Sequence, residues 1–179
     1  VVSGPSGAGK GTLIRGVLAR NRDIAVAVSV TTRAMRPGEV DGREYHFMSR
    51  AEFARLVEQG AFLEHAEFAG NRYGTLNAEL DRIMEMGRSV ILEIELQGAR
   101  NVRVMRPGCV SVFIEPPSLD ELARRLRARA TDAEEEIAER LQVARREVAA
   151  KAEFDHVILN DEIGRATSDL VRIIASETA

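Results

Sequence analysis

Apolar positions along the chain follow two rhythms, one of strand length and one of helical period. Near-continuous apolar runs rich in Val and Ile stand at Ile24–Val30, Ser89–Glu95, Cys109–Glu115 and His156–Asn160. Val1-Val2-Ser3 reads as a strand entered part-way, with a few residues expected ahead of it. Runs of this kind suit strands covered on both faces of a sheet. Leu13, Ile14, Val17 and Leu18 recur instead at i, i+1, i+4 and i+5, one face of a helix. Further helices are predicted at Gly98–Val104, Leu119–Leu126, Glu134–Ala150 and Ile163–Ala175. In the Glu134–Ala150 stretch the inward face is expected to be Ile137, Leu141, Ala144 and Val148, with Glu136 and Arg140 a favourable i, i+4 pair. Strands alternating with helices imply an α/β fold around a doubly wound parallel sheet.

Residues 33–87 break the alternation. Arg36-Pro37-Gly38 and Asp41-Gly42 are turn sequences. Short strands are predicted at Glu44–Met48, Phe62–Phe68 and Arg72–Gly74, and helices at Ala51–Glu58 and Ala78–Met86. The expectation is one lobed domain over residues 1–179. Its core would take residues 1–32, 88–123 and 151–179, with a small mixed α/β insert at 33–87 and a helical segment at 124–150. No internal repeat or low-complexity tract interrupts it.

Composition narrows the class without choosing a function. The 179 residues carry 28 Asp+Glu against 25 Lys+Arg, a formal charge of −3 that gives no global attraction to nucleic acid or anionic lipid. The longest apolar runs, Ile24–Val28 and Val110–Ile114, are too short to cross a bilayer, and no basic stretch followed by a long apolar segment stands at the front. The single cysteine, Cys109, fits a reducing compartment, so a cytoplasmic setting is expected. Cys109 has no visible base partner, and His46, His65 and His156 lack metal-ligand spacing.

The strongest chemical signal is Gly4-Pro5-Ser6-Gly7-Ala8-Gly9-Lys10, between the first strand and the first helix. Glycines let such a loop curl its N–H groups around phosphate oxygens. The following helix adds a partially positive N-terminus, and Lys10 adds a full charge near the β and γ phosphates. Gly11 stands where Ser or Thr commonly supplies a metal-ligating hydroxyl. Thr12 is left to contact phosphate or metal-bound water, so Mg²⁺ is expected to be held chiefly by nucleotide and water.

Other positions are quieter on pattern alone. Arg33 and Arg36 read as solvated turn residues, and Glu64 as a solvent-facing residue of the alternating Phe62-Leu63-Glu64-His65-Ala66 run. Glu93 and Glu95 end a strand with both side chains on one face. The run Arg124-Arg125-Leu126-Arg127-Ala128-Arg129 is by itself a solvated helix end. Asn160-Asp161 sits at a strand end, where α/β sheets place ligands, but capping the last helix is an equal reading.

Taken together, the motifs resemble the guanylate kinase family, P-loop nucleoside monophosphate kinases that transfer phosphate from ATP to GMP. The resemblance runs through the loop, Ser29-Val30-Thr31-Thr32-Arg33, Arg36-Pro37-Gly38-Glu39-Val40-Asp41-Gly42, and Tyr45-His46-Phe47. It continues in Phe62-Leu63-Glu64-His65-Ala66, Tyr73-Gly74-Thr75, Gln97-Gly98, Pro116-Pro117-Ser118 and Asn160-Asp161. It implies that residues 33–87 bind GMP and that 124–150 form a lid. ATP would lie on Gly4, Pro5, Ser6, Gly7, Ala8, Gly9, Lys10, Gly11 and Thr12, with Asn160 near adenine. Arg33, Arg36, Tyr45 and Tyr73 would hold the acceptor phosphate, and Ser29, Glu64 and Thr75 would read guanine. Guanine offers adjacent donors at N1 and N2 to a carboxylate, whereas adenine would leave that carboxylate unpaired. The family usually has Asp at the positions of Glu93 and Glu95; here Glu95 is expected toward the nucleoside and Glu93 toward the metal side. Lys10, Arg33, Arg125, Arg129 and Arg140 would stabilise the transferring phosphoryl group. Ala128 and Ala130 replace the family's common glycines beside Arg129, which would stiffen the lid hinge. The partners implied are ATP, GMP and dGMP, with no nucleic acid or membrane; the sequence is silent on oligomeric state. Two other readings stay open at this point: a non-catalytic module that grips phosphorylated partners, and a kinase acting on a ribose phosphate.

Overall fold

The computed structural model describes residues 1–68, 70–128 and 134–177. Along the chain, β1 (Val2–Ser3) leads to α1 (Lys10–Leu18), β2 (Ile24–Val26), β3 (Val30–Thr31) and β4 (His46–Phe47). Then come α2 (Arg50–Glu58), β5 (Phe62–Phe68), β6 (Asn71–Leu76), α3 (Asn77–Glu85), β7 (Ser89–Ile91) and α4 (Leu96–Met105). The chain continues with β8 (Val112–Glu115), α5 (Leu119–Ala128), α6 (Glu134–Ala149), β9 (His156–Leu159) and α7 (Ile163–Glu177). The fold is α/β with parallel sheet, as the alternation of patterns implies. Two compact units divide it: Val1–Arg22, Glu93–Leu96 and Val110–Ala179 form the first, Asp23–Leu92 and Gln97–Cys109 the second.

In the first unit β1, β8 and β9 pair in parallel, with Val2 opposite Val112 and Val112 opposite His156. A single parallel bridge joins Val2 to Glu93 on the other side of β1. Val112, Phe113 and Ile114 are all buried, as expected for a strand covered on both faces. The edge strand β9 departs from that expectation. Val157 and Leu159 are 43% and 41% exposed while Ile158 is buried, so this apolar run has one face toward solvent. Ser118 starts α5 by accepting the Glu121 amide, and Leu122 and Leu126 then pack on Ile137 and Ala144 of α6.

The second unit holds the parallel pair β2–β7 and a mixed sheet in the order β4-β3-β6-β5. Ser49 caps α2 by accepting the Glu52 amide, and that helix buries Phe53 against Val30 and Phe62. The two rings stack with centroids 4.5 Å apart.

The apolar runs overestimate three strands. Ile24–Val30 is two strands in two sheets, because the Val28 amide donates to Glu79 Oε1 of α3 (3.1 Å) rather than to a neighbouring strand. Ser89–Glu95 ends as a strand at Ile91. Cys109–Glu115 starts as one at Val112, since the Ser111 amide and hydroxyl both donate to Asp155.

Glu79 is the hinge of that first break. It is buried, and its two oxygens accept from Arg82 Nε and Nη2 at 2.9 and 3.0 Å. Burial pushes its carboxyl up, but Arg82 and the Val28 amide outweigh burial and hold it below the usual range. A lowered carboxyl stabilises the fold above its unfolded-state pKa, and that contribution is lost as pH falls through the folded value. Glu79→Ala is therefore expected to cost about 1–3 kcal/mol at pH 7. Chemical denaturation should show the gap to wild type closing below pH 4.5. A gap independent of pH would contradict the ionic role.

Candidate active site

The first unit places its chemistry where β1 turns into α1. Gly4, Gly7 and Gly9 have φ of 139°, 91° and 95°. Gly9 has a second constraint: a Cβ there would strike the Asn160 side-chain amide. That amide donates to Ala8 O at 2.7 Å, and Asn160 is 2% exposed, so the end of β9 clamps the loop. Asn160 does not cap α7, because Glu162 accepts the Gly164 and Arg165 amides itself. Helix α1 starts after Gly9 with no side-chain cap hydrogen bond among the described residues. Lys10 Nζ donates to Gly4 O at 2.5 Å and Pro5 O at 3.1 Å, folded over its own loop.

Further residues gather round that loop. Arg140 Nη1 reaches Ser6 Oγ at 3.4 Å, and Thr12 Oγ1 accepts from Arg15 at 3.1 Å. A Cβ at Gly11 would lie 3.5 Å from Glu93 Oε2, so a carboxylate flanks the position where a hydroxyl is commonly found. Arg125 donates to Glu121 and, from Nη2, to Asn160 O at 3.2 Å. Arg129 lies outside the described residues. Glu95 belongs to this unit rather than to the one that carries the other predicted GMP residues.

Pattern reading missed Glu147. Helix α6 buries Ile137, Ala144 and Glu147, and it is Glu147, not Val148, that completes the inward stripe. Burial pushes the Glu147 carboxyl up, with Lys10 drawing it down and Glu95 pushing it further up. An apolar period does not mark a buried carboxylate.

In the second unit the sheet order brings distant residues together. Thr31 of β3 is opposite Tyr73 of β6, and Glu64 of β5 is opposite Thr75. Tyr73 and Thr75 are two apart on one strand and so share a face. Ser29 precedes β3, and its carbonyl accepts the His46 amide at 2.9 Å, one residue after Tyr45. The Tyr45 and Tyr73 rings meet edge to face at 5.9 Å.

Glu64 is not the solvent-facing residue that alternation suggests. It is 6% exposed and accepts from Thr75 Oγ1 at 2.9 Å, with Thr75 fully buried. The register of β5 shifts between Phe62 and Glu64, so Phe62, Leu63 and Glu64 are buried in succession. Arg33 is no solvated turn residue either. Its guanidinium lies 5.2 Å from the Tyr45 ring centre and makes two 2.8 Å bonds to Glu39. The hydrogen bond to Glu39 raises the Arg33 pKa, and the same bond lowers that of Glu39, so both stay charged at neutral pH. Arg36 remains exposed, with its backbone amide on Glu39 at 2.7 Å. Among the described residues no cluster of three or more His, Cys, Asp or Glu could hold a metal, and no helix is long and apolar enough to cross a membrane.

A strand, a glycine turn closed by lysine and an uncapped helix define a P-loop α/β protein. The family model for guanylate kinase matches residues 1–177. The guanylate kinase of Rubrobacter xylanophilus is 53% identical over 174 residues, covering 97% of this chain and 91% of its own. That of Frankia casuarinae is 51% identical, covering 97% and 95%. The crystal structure of guanylate kinase from Anaplasma phagocytophilum superposes with a TM-score of 0.80 at 36% identity, covering 98% of this chain and 83% of the other. The chain belongs to the guanylate kinase family, and it is an enzyme of the kinase class.

Gly9→Ala tests the loop geometry. A side chain there meets both an unfavourable φ and the Asn160 amide, so stability should fall by about 1–3 kcal/mol. ATP affinity, followed by titration calorimetry, should fall with it. Wild-type stability and affinity would show that the loop does not need this conformation.

Proposed function

We propose that the chain transfers the γ-phosphoryl group of ATP to GMP, and to dGMP, giving ADP and the nucleoside diphosphate. ATP is bound by Gly4, Pro5, Ser6, Gly7, Ala8, Gly9, Lys10, Gly11 and Thr12, with Asn160 fixing the loop from behind. GMP is bound by Ser29, Arg33, Arg36, Tyr45, Glu64, Tyr73, Thr75 and Glu95. The observation that carries this reading is the buried Glu64–Thr75 pair, in the same unit as the Arg33–Tyr45–Tyr73 cluster. It supports a site with a carboxylate for a base and a guanidinium for a phosphate. A module that only grips phosphate has no need of the first, and a ribose-phosphate kinase has no base to read.

The donor set fits a Mg²⁺ ion carried in on ATP. The Glu93 carboxylate beside Gly11 and the Thr12 hydroxyl are hard oxygen donors, suited to contact through water. When bound, the ion supplies charge neutralisation on the β and γ phosphates. The remaining work falls to the chain's own cations. Lys10, Arg33, Arg125, Arg129 and Arg140 offset the repulsion between two phosphates and the charge spread over the transferring group. No general base is required, because the attacking oxygen belongs to an already ionised phosphate. The segment 124–150 acts as a lid that excludes water.

Two variants test the assignment. Lys10→Ala should lower kcat by at least about a hundredfold with the fold intact, in a coupled assay of ADP release. Glu64→Ala should erode the GMP-over-AMP ratio of kcat/KM by about a hundredfold while leaving the KM for ATP in place. An unchanged base preference would remove Glu64 from the site.

A further inference from the structure

A carboxylate beside a phosphate-binding arginine is at first sight a misfit. Glu39 carries the same sign as the acceptor phosphate, and two like charges on one guanidinium repel. It is nonetheless paired with Arg33 at both ends, Nη1 to Oε2 and Nη2 to Oε1, each at 2.8 Å. The two side chains are 13% and 17% exposed, so this is not a loose surface pair.

Counting donors resolves the conflict. A guanidinium has five N–H groups. Nη1 spends both of its own, on Glu39 Oε2 and on Ala34 O at 2.8 Å. Nη2 spends one on Glu39 Oε1. Among the described residues nothing takes the second Nη2 proton or the Nε proton, and the two lie along one side of the planar group as a second two-pronged fork. Glu39 therefore occupies the end of the guanidinium and leaves the edge that a phosphate can take with two parallel bonds. The Tyr45 and Phe47 rings, centred 5.2 and 5.5 Å from the guanidinium carbon, fix the plane in which that edge lies.

The same carboxylate shapes the turn. Oε2 also accepts the Arg36 amide at 2.7 Å, and the Glu39 amide returns to Arg36 O at 3.1 Å. One side chain thus ties Arg33 to the backbone of Arg36 across Pro37-Gly38. We infer that Glu39 is a positioning residue which holds the Nε–Nη2 edge of Arg33 and the main chain of Arg36 ready for the acceptor phosphate. The inference rests on the reading of this unit as the GMP site and adds to it a source of affinity that never touches the ligand. An arginine already ordered loses less side-chain freedom on binding than a free one.

Glu39→Gln keeps the shape and removes the charge and one of the two acceptors facing Arg33. Steady-state kinetics should show the KM for GMP raised by roughly 10- to 100-fold, the worth of a charge-assisted hydrogen bond, with the KM for ATP unchanged. Made in an Arg33→Lys background, the same change should add little, because the group it orients is gone. Glu39→Asp, which keeps the charge on a shorter stem, should fall between wild type and Glu39→Gln. A KM for GMP that falls in Glu39→Gln would show that Glu39 competes with the phosphate, and an unchanged KM would show that it does neither; both overturn the inference. So would losses that simply add in the double variant. If Glu39→Gln fails to fold, the Glu39→Asp and Arg33→Lys pair carries the same cycle, with additivity again overturning it. Wild-type protein that releases no ADP with GMP would instead overturn the parent reading.

Discussion

The turn from β1 into α1 is the constraint on which the first unit is built. Phosphate oxygens are strongly hydrated, and a protein that binds them must offer donors already in place to replace that water. Three glycines at positive φ let the backbone supply them, and the price is a loop with little intrinsic preference for its own shape. The surrounding elements remove that freedom. Asn160 ties Ala8 from the end of β9, and Arg140 of α6 reaches Ser6. Leu122 and Leu126 of α5 close on Gly7 so tightly that a Cβ there would sit 3.0 and 3.2 Å from them.

The second unit orders its polar groups through side chains. Its order β4-β3-β6-β5 sets Glu64 opposite Thr75, and the Arg33–Tyr45–Tyr73 cluster lies in the same unit. Here too the functional groups are fixed by neighbours. Glu64 is held by Thr75, Arg33 by Glu39 and Tyr45, and the Val28–Ser29 segment by Glu79. Arginine and carboxylate recur as partners because a planar fork is ordered best by a planar acceptor.

Much of this was legible in the order of residues. The glycine loop, the alternation of strand and helix, and β5 at Phe62–Phe68 are local signals, and each has a local cause. What pattern alone obscured was set at a distance. Glu64 lies in an alternating run whose alternation is broken by a bulge, which depends on the partner strand. Val28 is apolar and β-branched, yet its amide goes to a helix some fifty positions on. Glu147 is a buried carboxylate on an otherwise apolar stripe, its pKa pushed up by burial and drawn down by the Lys10 charge. Resemblance to a family, rather than periodicity, is what singled out Arg33 and Glu64 in advance.

The central claim is that this chain spends ATP on a guanine nucleotide and on no other base. Its most direct test is ADP release by the wild-type protein at saturating ATP and Mg²⁺, with GMP, dGMP, AMP, UMP and a ribose bisphosphate offered in turn. The account predicts rapid release with GMP and dGMP, and background rates with the rest. ADP formed equally well with AMP or with the ribose bisphosphate, or with none of the five, would contradict it.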